Sequence, residues 1–466
     1  MSRLSRALAS ACAGIAAALA TCHAAPARAG DEPEPVTDQR ASAEAVRSLD
    51  RCLVLARRHY PKVQEAQARL AGKRAQRSQV ALTPFGDIVA TAGAGTAPSV
   101  FGSPVFSPST DVSLSSNMAL AWRVGIDATL PLWTFGKLGH ATAAADAQVL
   151  AGAHEVRRER NAVEVDVRRA FWGVQLARDS LVLLADARRR VEKHRRRLVA
   201  RVAEGEGDEV ELLKVEMYSA DLDVKESEGR KAQTTALAAL RMLVGGEAGC
   251  GVPDEPLART ARALGPLPTY LAAARLHRPE VNMARAGVLA RRALVELERA
   301  RYLPDLGLAL SGRWARAPEV VDQRNPFVRD DANFLVYGFA LAARWKLDFL
   351  PQSARVAQAE AQLEEMRATE RFALGGVGFE VEQAYAEASE AAKRLAAARR
   401  AAHYARQWLL RVQQAIDVGT MEDEKIVDPA REHALRRFGV LSATYDYNVA
   451  MARLAQATGW DAVLGT

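Results

Sequence analysis

Apolar and small residues recur at steps of three and four along residues 138–201, which is the spacing of a helix packed along one face. The series runs through Val163, Val167, Ala170, Val174, Ala177, Leu181 and Leu184. Helix-favouring Ala, Leu, Arg and Glu dominate the stretch, and no proline occurs between Leu138 and Val252. At about 1.5 Å per residue the predicted helix is roughly 96 Å long, which is unusual in an ordinary globular domain.

A bend follows this helix at residues 204–208, where two glycines alternate with three acidic residues. The helical pattern then resumes from Glu209 to Val244. The same design returns 214 positions later, which indicates an internal repeat. Asp146-Ala147-Gln148 matches Glu360-Ala361-Gln362. Val167, Ala170 and Phe171 match Val381, Ala384 and Tyr385, in that order. Gly205 matches Gly419, and Gly245 matches Gly459.

Alternation of large apolar residues with small, polar or charged ones replaces the helical period before each long helix and predicts β-strands. It is clearest from Leu120 to Leu130 and from Tyr337 to Phe349, and it is shorter at 306–311 and 85–93. Loops are predicted at 95–117 and 316–333. The remaining helices are predicted at 49–82, 270–303, 353–416 and 422–458, with kinks at Pro61 and Pro279 and a soft turn at Gly375, Gly376 and Gly378.

The predicted fold is therefore mixed α and β, consists mainly of long α-helices, and contains two tandem structural repeats. Its segments are a signal peptide at 1–29, a tail at 30–48, the first repeat at 49–245, a linker at 246–268, the second repeat at 269–460 and a tail at 461–466. Each repeat reads as helix, two strands, long helix, bend and helix.

The amino terminus has the pattern of a secretion signal. Arg3 and Arg6 precede an apolar run, and a small-residue cleavage site ends at Ala29. A competing interpretation is lipidation of Cys22, which follows Leu-Ala-Thr. Cys52 and Cys250 remain after cleavage at Ala29, and in an oxidising compartment they either pair as a disulfide or stay as two thiols.

Composition and motifs argue against several functional classes. The formal charge is +7, and about +4 remains once the three arginines of residues 1–29 are removed. That charge is too small and too dispersed to predict a nucleic-acid partner. No catalytic, phosphate-binding or metal-binding motif occurs, so neither an enzyme nor a cofactor is expected. His59 and His277 precede the two prolines at matching positions and are interpreted as structural.

The residue pattern of the strands predicts that the sheet lies in a membrane. Their large apolar residues point one way and their small or polar residues the other, and no other segment is left over to cover the apolar face. A barrel with lipid outside and water inside suits this pattern. Four strands per chain are too few, because open sheet edges do not occur in lipid and the smallest membrane barrels have about eight strands. Several copies must share one barrel, and three copies give a trimeric 12-stranded β-barrel.

These features together resemble the TolC-like outer-membrane efflux protein family. The residues that carry the resemblance are Pro61-x-Val63, Pro279-x-Val281, the Pro-Leu-Trp-Thr-Phe-Gly-Lys segment at 131–137 and Val418-Gly419-Thr420 at the second bend. The resemblance implies a homotrimer whose outer-membrane barrel continues as a periplasmic α-helical barrel. It also implies an exit duct of a tripartite efflux or type I secretion system, with a periplasmic adaptor, an inner-membrane pump and outer-membrane lipid as partners.

Control is expected at the bends. Family members often carry acids six and nine positions after the second bend glycine, where this chain has Lys425 and Asp428; Glu211 matches at the first bend. The family's tyrosine and arginine gate partners would fall at Ile416 and Met421 and are not kept. Rings of carboxylates favour cations at a constriction. The expected entrance residues are Glu211, Lys425, Asp428, Asp208 and Glu422.

The bends are also the exposed helix ends available to an adaptor. The residues expected to dock it are Gly205, Gly207, Gly419, Thr420 and Met421. An alternative function from another class is a secreted periplasmic coiled-coil scaffold without channel activity, in which the strands form a soluble oligomerisation cap.

Overall fold

The computed structural model describes residues 48–85, 87–101, 113–205, 208–246, 252–320 and 330–460. In this part of the chain the main elements are α1 (Leu49–His59), α2 (Pro61–Leu82), β1 (Ile88–Phe101), β2 (Ser113–Trp133), α3 (Lys137–Ala203), α4 (Glu209–Val244), α5 (Leu267–His277), α6 (Pro279–Ala300), β3 (Asp305–Arg316), β4 (Phe334–Arg344), α7 (Phe349–Asp417) and α8 (Val427–Thr458). The predicted helix from Glu209 to Val244 is confirmed at both ends as α4.

The internal repeat is present in three dimensions, with two offsets. The last residues of α3 and α4 lie 214 positions before the last residues of α7 and α8, as the sequence match requires. Helices α1 and α2 lie 218 positions before α5 and α6. The difference of four residues falls in the strands and loops between them, where a change of length does not disturb helix packing.

The four strands form one antiparallel sheet in the order β1-β2-β3-β4. Several predictions about their ends were wrong. Strand β2 starts at Ser113, inside the predicted loop at 95–117, and β3 continues beyond 311 to Arg316. Strand β1 starts at Ile88 and extends to Phe101, into the predicted loop, because residues such as Gly95 and Ala97 pair with β2 in register. Strand β4 ends at Arg344, and Phe349 already begins α7, where its ring packs against Tyr302 and Trp345.

The register places the large residues of three strands on one face of the sheet. Leu130 pairs with Leu308, which pairs with Leu341, and Ala128 is joined through Leu310 to Phe339. Directly paired residues share a face, so these rows form a single apolar surface. The opposite face carries small and charged residues. There Arg313 Nη2 lies 3.2 Å from Asp127 Oδ1.

The helices pack against one another and not on the sheet. Helix α3 packs against α2 and α4 of its own repeat and against α6 and α8 of the other, while α7 packs against α5, α6 and α8. The buried cores lie between these helices and are rich in Ala and Val, which allow close approach. Among the described residues no helix is both long and apolar enough to cross a membrane.

The shorter helices of each repeat meet end to end. Helix α4 ends at Gly245, which has φ +102° and lies against His59, where α1 gives way to α2. Helix α8 ends likewise at Gly459, which has φ +64° and lies against the backbone of His277 and Arg278. Both histidines therefore lie at the junction of stacked helices, where a structural role was predicted.

Two helical predictions need correction. Helix α7 runs unbroken through Gly375, Gly376 and Gly378, so the predicted soft turn is absent there. The backbone hydrogen bonds of a long packed helix outweigh the modest cost of interior glycine. Helix α8 starts at Val427 after a short 3-10 turn at Asp423–Ile426, rather than at Glu422. Pro429 then falls in its first turn, where a missing N–H is tolerated.

The described part of the linker crosses the helices as an ordered strap. The backbone N–H of Leu257 donates to Asp179 on α3 over 2.7 Å. Asn448 on α8 is fully buried, accepts from Thr260 N and donates to the Ala258 carbonyl. Fixed hydrogen bonds from both repeats therefore hold this connection in place.

Candidate entrance at the two bends

The two bends have the same backbone design. Gly205 and Gly419 follow the ends of α3 and α7 with φ of +78° and +79°, the left-handed region that terminates helices. At the second bend the Thr420 backbone N–H and hydroxyl both donate to the Ala415 carbonyl. Met421 follows and is 40% exposed. Gly207 lies outside the described residues.

The predicted entrance residue Asp208 is the N-cap of α4. Its Oδ1 accepts from the Val210 backbone N–H over 2.8 Å, which satisfies one free donor of the helix end. The carboxylate also lies at the positive end of the helix dipole. Its position is therefore explained by capping, independently of any role at an entrance.

Asp428 and Glu211 are linked through a lysine. Lys214 Nζ lies 3.3 Å from Asp428 Oδ2 and 3.6 Å from Glu211 Oε1. The Tyr218 hydroxyl donates to Asp428 Oδ1 over 3.4 Å. The guanidinium of Arg431 covers the Tyr218 ring at 4.8 Å. This cluster joins α4 of one repeat to α8 of the other near the two bends.

The charges around Lys214 change its pKa. Partial burial acts to lower the pKa, but the hydrogen bond to Asp428 and the charges of Glu211 and Asp428 outweigh it and raise the pKa of Lys214 above 10.5. Lys214 is thus held as a cation between two carboxylates at neutral pH.

Glu422 and Lys425 are placed differently from Asp428. The Lys425 backbone N–H donates to the Glu422 carbonyl over 3.1 Å in the short turn before α8. Within the described chain, neither side chain forms an ion pair. The structure therefore brings together two of the five predicted entrance residues, Glu211 and Asp428.

Sequence reasoning missed Lys214, Tyr218 and Arg431, although a signal for Lys214 was present. Six and nine positions after Gly205 stand an acid and a base, Glu211 and Lys214. Six and nine positions after Gly419 the order is reversed, with Lys425 and Asp428. Opposite charges at equivalent positions of two repeats that face each other predict a cross-repeat ion pair.

The arginine-rich end of α3 is largely paired. Arg195 bonds Glu192 on its own helix and Glu216 on α4, and Arg188 lies 2.6 Å from Asp223 and 2.7 Å from Glu226 on α4. Hydrogen bonds from Arg195 and Arg196 lower the pKa of Glu192 to about 2. These bases therefore join α3 to α4 along their length. Just above the bends, Leu198, Val215 and Val427 form a small buried cluster.

Cys52 is fully buried at the head of the first repeat. Cys22 and Cys250 lie outside the described residues, so lipidation and disulfide pairing stay predictions. No group of three or more His, Cys, Asp or Glu side chains is arranged to hold a metal ion within the described ranges.

Comparisons with known proteins converge on one family. The family model for outer membrane efflux proteins matches residues 52–246 and 270–460, one stretch for each repeat. A search of curated proteins found no significant match.

Similar solved structures include a membrane protein from Pseudomonas aeruginosa at 19% identity and TM-score 0.69, with 89% of this chain and 91% of that chain covered. VceC from Vibrio cholerae has 16% identity and TM-score 0.68, with 88% and 96% covered. The open state of MtrE from Neisseria gonorrhoeae has 16% identity and TM-score 0.69, with 88% and 89% covered. At these identities the likeness shows a shared fold.

Proposed function

Since the chain belongs to the outer membrane efflux protein family and is an outer-membrane efflux channel, we propose that three copies form the exit duct of a tripartite efflux or type I secretion system. Cargo leaves an inner-membrane pump and crosses the periplasm inside a helical barrel. It then crosses the outer membrane inside a 12-stranded β-barrel.

The observation that carries this proposal is the uncovered apolar face of the sheet. Tyr337, Phe339 and Leu341 on β4 are each 80% exposed, and no described element packs over them. Water is a poor solvent for such a face, whereas the hydrocarbon of a bilayer suits it. The opposite face, with the Arg313–Asp127 ion pair, then lines a wet lumen.

The edges of the sheet support a shared barrel. Strands β1 and β4 are its two edges within the chain. Unpaired backbone N–H and C=O groups at an edge cost several kcal/mol each in lipid, roughly, so the edges must pair. Pairing β4 of one copy with β1 of the next closes a barrel, and three copies supply twelve strands.

The entrance is proposed to be closed by the Lys214–Asp428 pair. In the proposed ring, Asp428 of one copy pairs with Lys214 of the next, by analogy with the Lys214–Asp428 contact inside the chain. Charges of alternating sign then surround the opening, with Glu211 completing the site around Lys214. Asp208, Glu422 and Lys425 line the same rim. The gate opens when this ring of ion pairs is broken.

A periplasmic adaptor is proposed to dock on the bend loops, at Gly205, Gly207, Gly419, Thr420 and Met421. The bends lie at the end of the helical layer farthest from the sheet, which is the end that faces an inner-membrane pump. A photocrosslinker at position 421 should capture an adaptor in cell envelopes. Capture of the adaptor only from positions in the strands would contradict this docking site.

Fractionation and conductance test the channel against the scaffold alternative. A channel stays in the membrane through high salt and alkali, leaves only with detergent, and conducts ions in planar bilayers. A scaffold is released by alkali and does not conduct. The uncovered sheet face favours the first outcome, and release by alkali without conductance would overturn the proposal.

A further inference from the structure

A cavity of about 510 Å³ lies where α3, α7 and α8 come together beside the linker strap. Its apolar wall includes Leu183 on α3, Pro256 of the strap, Ala402 on α7, and Val440 and Leu441 on α8. Leu183 is only 7% exposed and forms the floor. Clefts of this volume with a mainly apolar wall are typical sites for small organic ligands.

Two arginines, Arg399 on α7 and Arg437 on α8, line the same cavity. Within the described chain neither forms an ion pair. The one carboxylate in the lining, Asp179, is already engaged. It accepts from the Leu257 backbone N–H over 2.7 Å, and its Oδ1 lies 3.5 Å from Arg178 Nε. The cavity therefore combines an apolar wall with two positive charges that no acid of the described residues neutralises.

The positive charge extends along α8 toward the bend. His433 lies one turn before Arg437 on this helix. Burial lowers the pKa of His433, and the charge of Arg437 lowers it further. Arg190 and Arg406 act in the same direction and outweigh Asp186. The electrostatic field on this side of α8 is therefore positive and favours an anion.

The first repeat fills the equivalent place with an ion-pair network. Subtracting 214 turns Ala402, Arg437 and Val440 into Arg188, Asp223 and Glu226. Arg188 Nη2 lies 2.6 Å from Asp223 Oδ1, and its Nη1 lies 2.7 Å from Glu226 Oε2. The second repeat has a methyl group where the first has this guanidinium, and an arginine and a valine where the first has the acids. These three differences account for the cavity and for its unpaired charge.

The cavity is far from the sheet. Val182, which also lines it, lies about 68 Å along α3 from Lys137, at about 1.5 Å per residue. A lipid in a bilayer around the sheet does not reach that far. The occupant of the cavity therefore comes from the aqueous phase.

We infer that this cavity binds a water-soluble amphipathic organic anion, with its apolar body on Leu183 and Val440 and its acidic group between Arg399 and Arg437. Guanidinium groups offer paired donors to a carboxylate or phosphate, and the apolar wall favours a hydrocarbon body. A small inorganic anion would leave the wall uncovered, and a neutral amphiphile would leave the two charges without a partner. The inference goes beyond the proposed function, because a site within one chain does not require a duct.

Photolabelling of the full-length protein in lipid nanodiscs tests the site. The probe is decanoate with a diazirine on its alkyl chain, and mass spectrometry identifies the labelled peptides. Saturable labelling is expected within 179–183, 399–402 or 437–441. Unlabelled decanoate should compete, butanoate should not, and decanol should compete roughly tenfold less well because it lacks the charge. Labelling confined to the strands, or equal competition by decanol, would overturn the proposal.

Glutamine variants test the two arginines. Arg399→Gln with Arg437→Gln should reduce labelling by roughly tenfold or more, because the acidic group loses its charged donors. The matched control is Arg400→Gln with Arg436→Gln, which removes the same charge from adjacent residues that do not line the cavity. The control should be labelled like the wild type. An equal loss in both variants would show that the site does not depend on Arg399 and Arg437.

Rebuilding the network of the first repeat supplies an independent readout. Ala402→Arg, Arg437→Asp and Val440→Glu together should fill the cavity and abolish labelling, with thermal unfolding as the check that the protein is folded. Labelling that persists in the folded triple variant would contradict the site, and if that variant does not fold, the glutamine pair decides. A wild-type protein that conducts ions but is not labelled would remove the site and leave the proposed function standing.

Discussion

Lys214 Nζ lies 3.3 Å from Asp428 Oδ2, and the two residues occupy equivalent positions of the two repeats. The same repeat position thus carries a base in the first repeat and an acid in the second. Because α4 and α8 approach each other at the bends, the two copies of this position form an ion pair. This pair, with Tyr218 and Glu211 around it, is the centre of the proposed gate.

Reversing Lys214 should open the entrance. Lys214→Asp places three carboxylates together, so conductance of the reconstituted protein should increase. Exposed ion pairs contribute about 0.2–1 kcal/mol each. Three copies therefore shift the balance between closed and open states by roughly 3- to 160-fold. Single-channel recording measures the change.

The swapped pair is the control for this experiment. Lys214→Asp combined with Asp428→Lys exchanges the two charges and should return conductance toward the wild-type level. If conductance were unchanged in Lys214→Asp, or were not restored by the swap, this pair would have no role in gating.

The closed entrance should also respond to alkaline pH. The folded pKa of Lys214 is raised, so the stabilisation by its charge is fully present below pH 10.5 and is lost as the pH rises through the higher folded value. Conductance should stay constant from neutral pH to about 10 and increase above it. Lys214→Arg, which keeps its charge over this range, should abolish that increase. An equal rise in conductance in the wild type and in Lys214→Arg would show that other groups cause the pH effect.

Gly459 should not tolerate a side chain. A β-carbon there would lie 2.6 Å from the His277 carbonyl oxygen, and its φ of +64° disfavours L-residues. Gly459→Ala should lower the free energy of unfolding by at least about 1–2 kcal/mol. Gly439→Ala is the control, because nothing lies within 4 Å of that position in the middle of α8. Thermal unfolding in detergent should rank the control at or above wild type.

A charged residue should be tolerated on one face of β4 and not on the other. Phe339→Lys places a cation on the proposed lipid face and should cost about 2–4 kcal/mol near the bilayer midplane. Ala340→Lys, on the adjacent residue, points to the lumen and should cost little. The fraction of heat-resistant, membrane-inserted protein measures both. Equal tolerance at 339 and 340 would contradict the assigned orientation of the sheet.

Buried Asn448 should hold the linker strap. Asn448→Leu leaves the Thr260 N–H and the Ala258 carbonyl without their partner, at about 1–3 kcal/mol for each group. Limited proteolysis should then cut within 252–266 at least tenfold faster. Thr444→Val is the matched control, because among the described residues the Thr444 hydroxyl bonds only the Val440 carbonyl of its own helix. Faster cleavage in both variants would indicate general destabilisation of α8.

Periodicity predicted the helices well because a helix is a local structure whose burial repeats every three or four residues. The ends of α4 were correct since Asp208 and Gly245 are strong capping residues. The ends of β1 and β4 were wrong, because a strand extends as far as its partner pairs with it. Small residues such as Gly95 and Ala97 give no alternation to read.

The entrance was predicted only in part, because some of its contacts also join segments that are distant along the chain. Its location at the bends and its acids Glu211 and Asp428 followed from the spacing after the bend glycines. The role of Lys214 depended on which helices are neighbours, since α4 and α8 are separated by more than 180 residues along the chain. A single sequence does not show that these two helices are close in space.

The sequence by itself determined the two repeats, the long helices, the bends between them and the two-faced strands, because each of these follows from local spacing and chain order. The tertiary structure decided the register of the sheet, the stacking of α4 on α1 at Gly245, and the pairing of Lys214 with Asp428. These depend on contacts between distant segments, and their energy is gained only when the chain has folded.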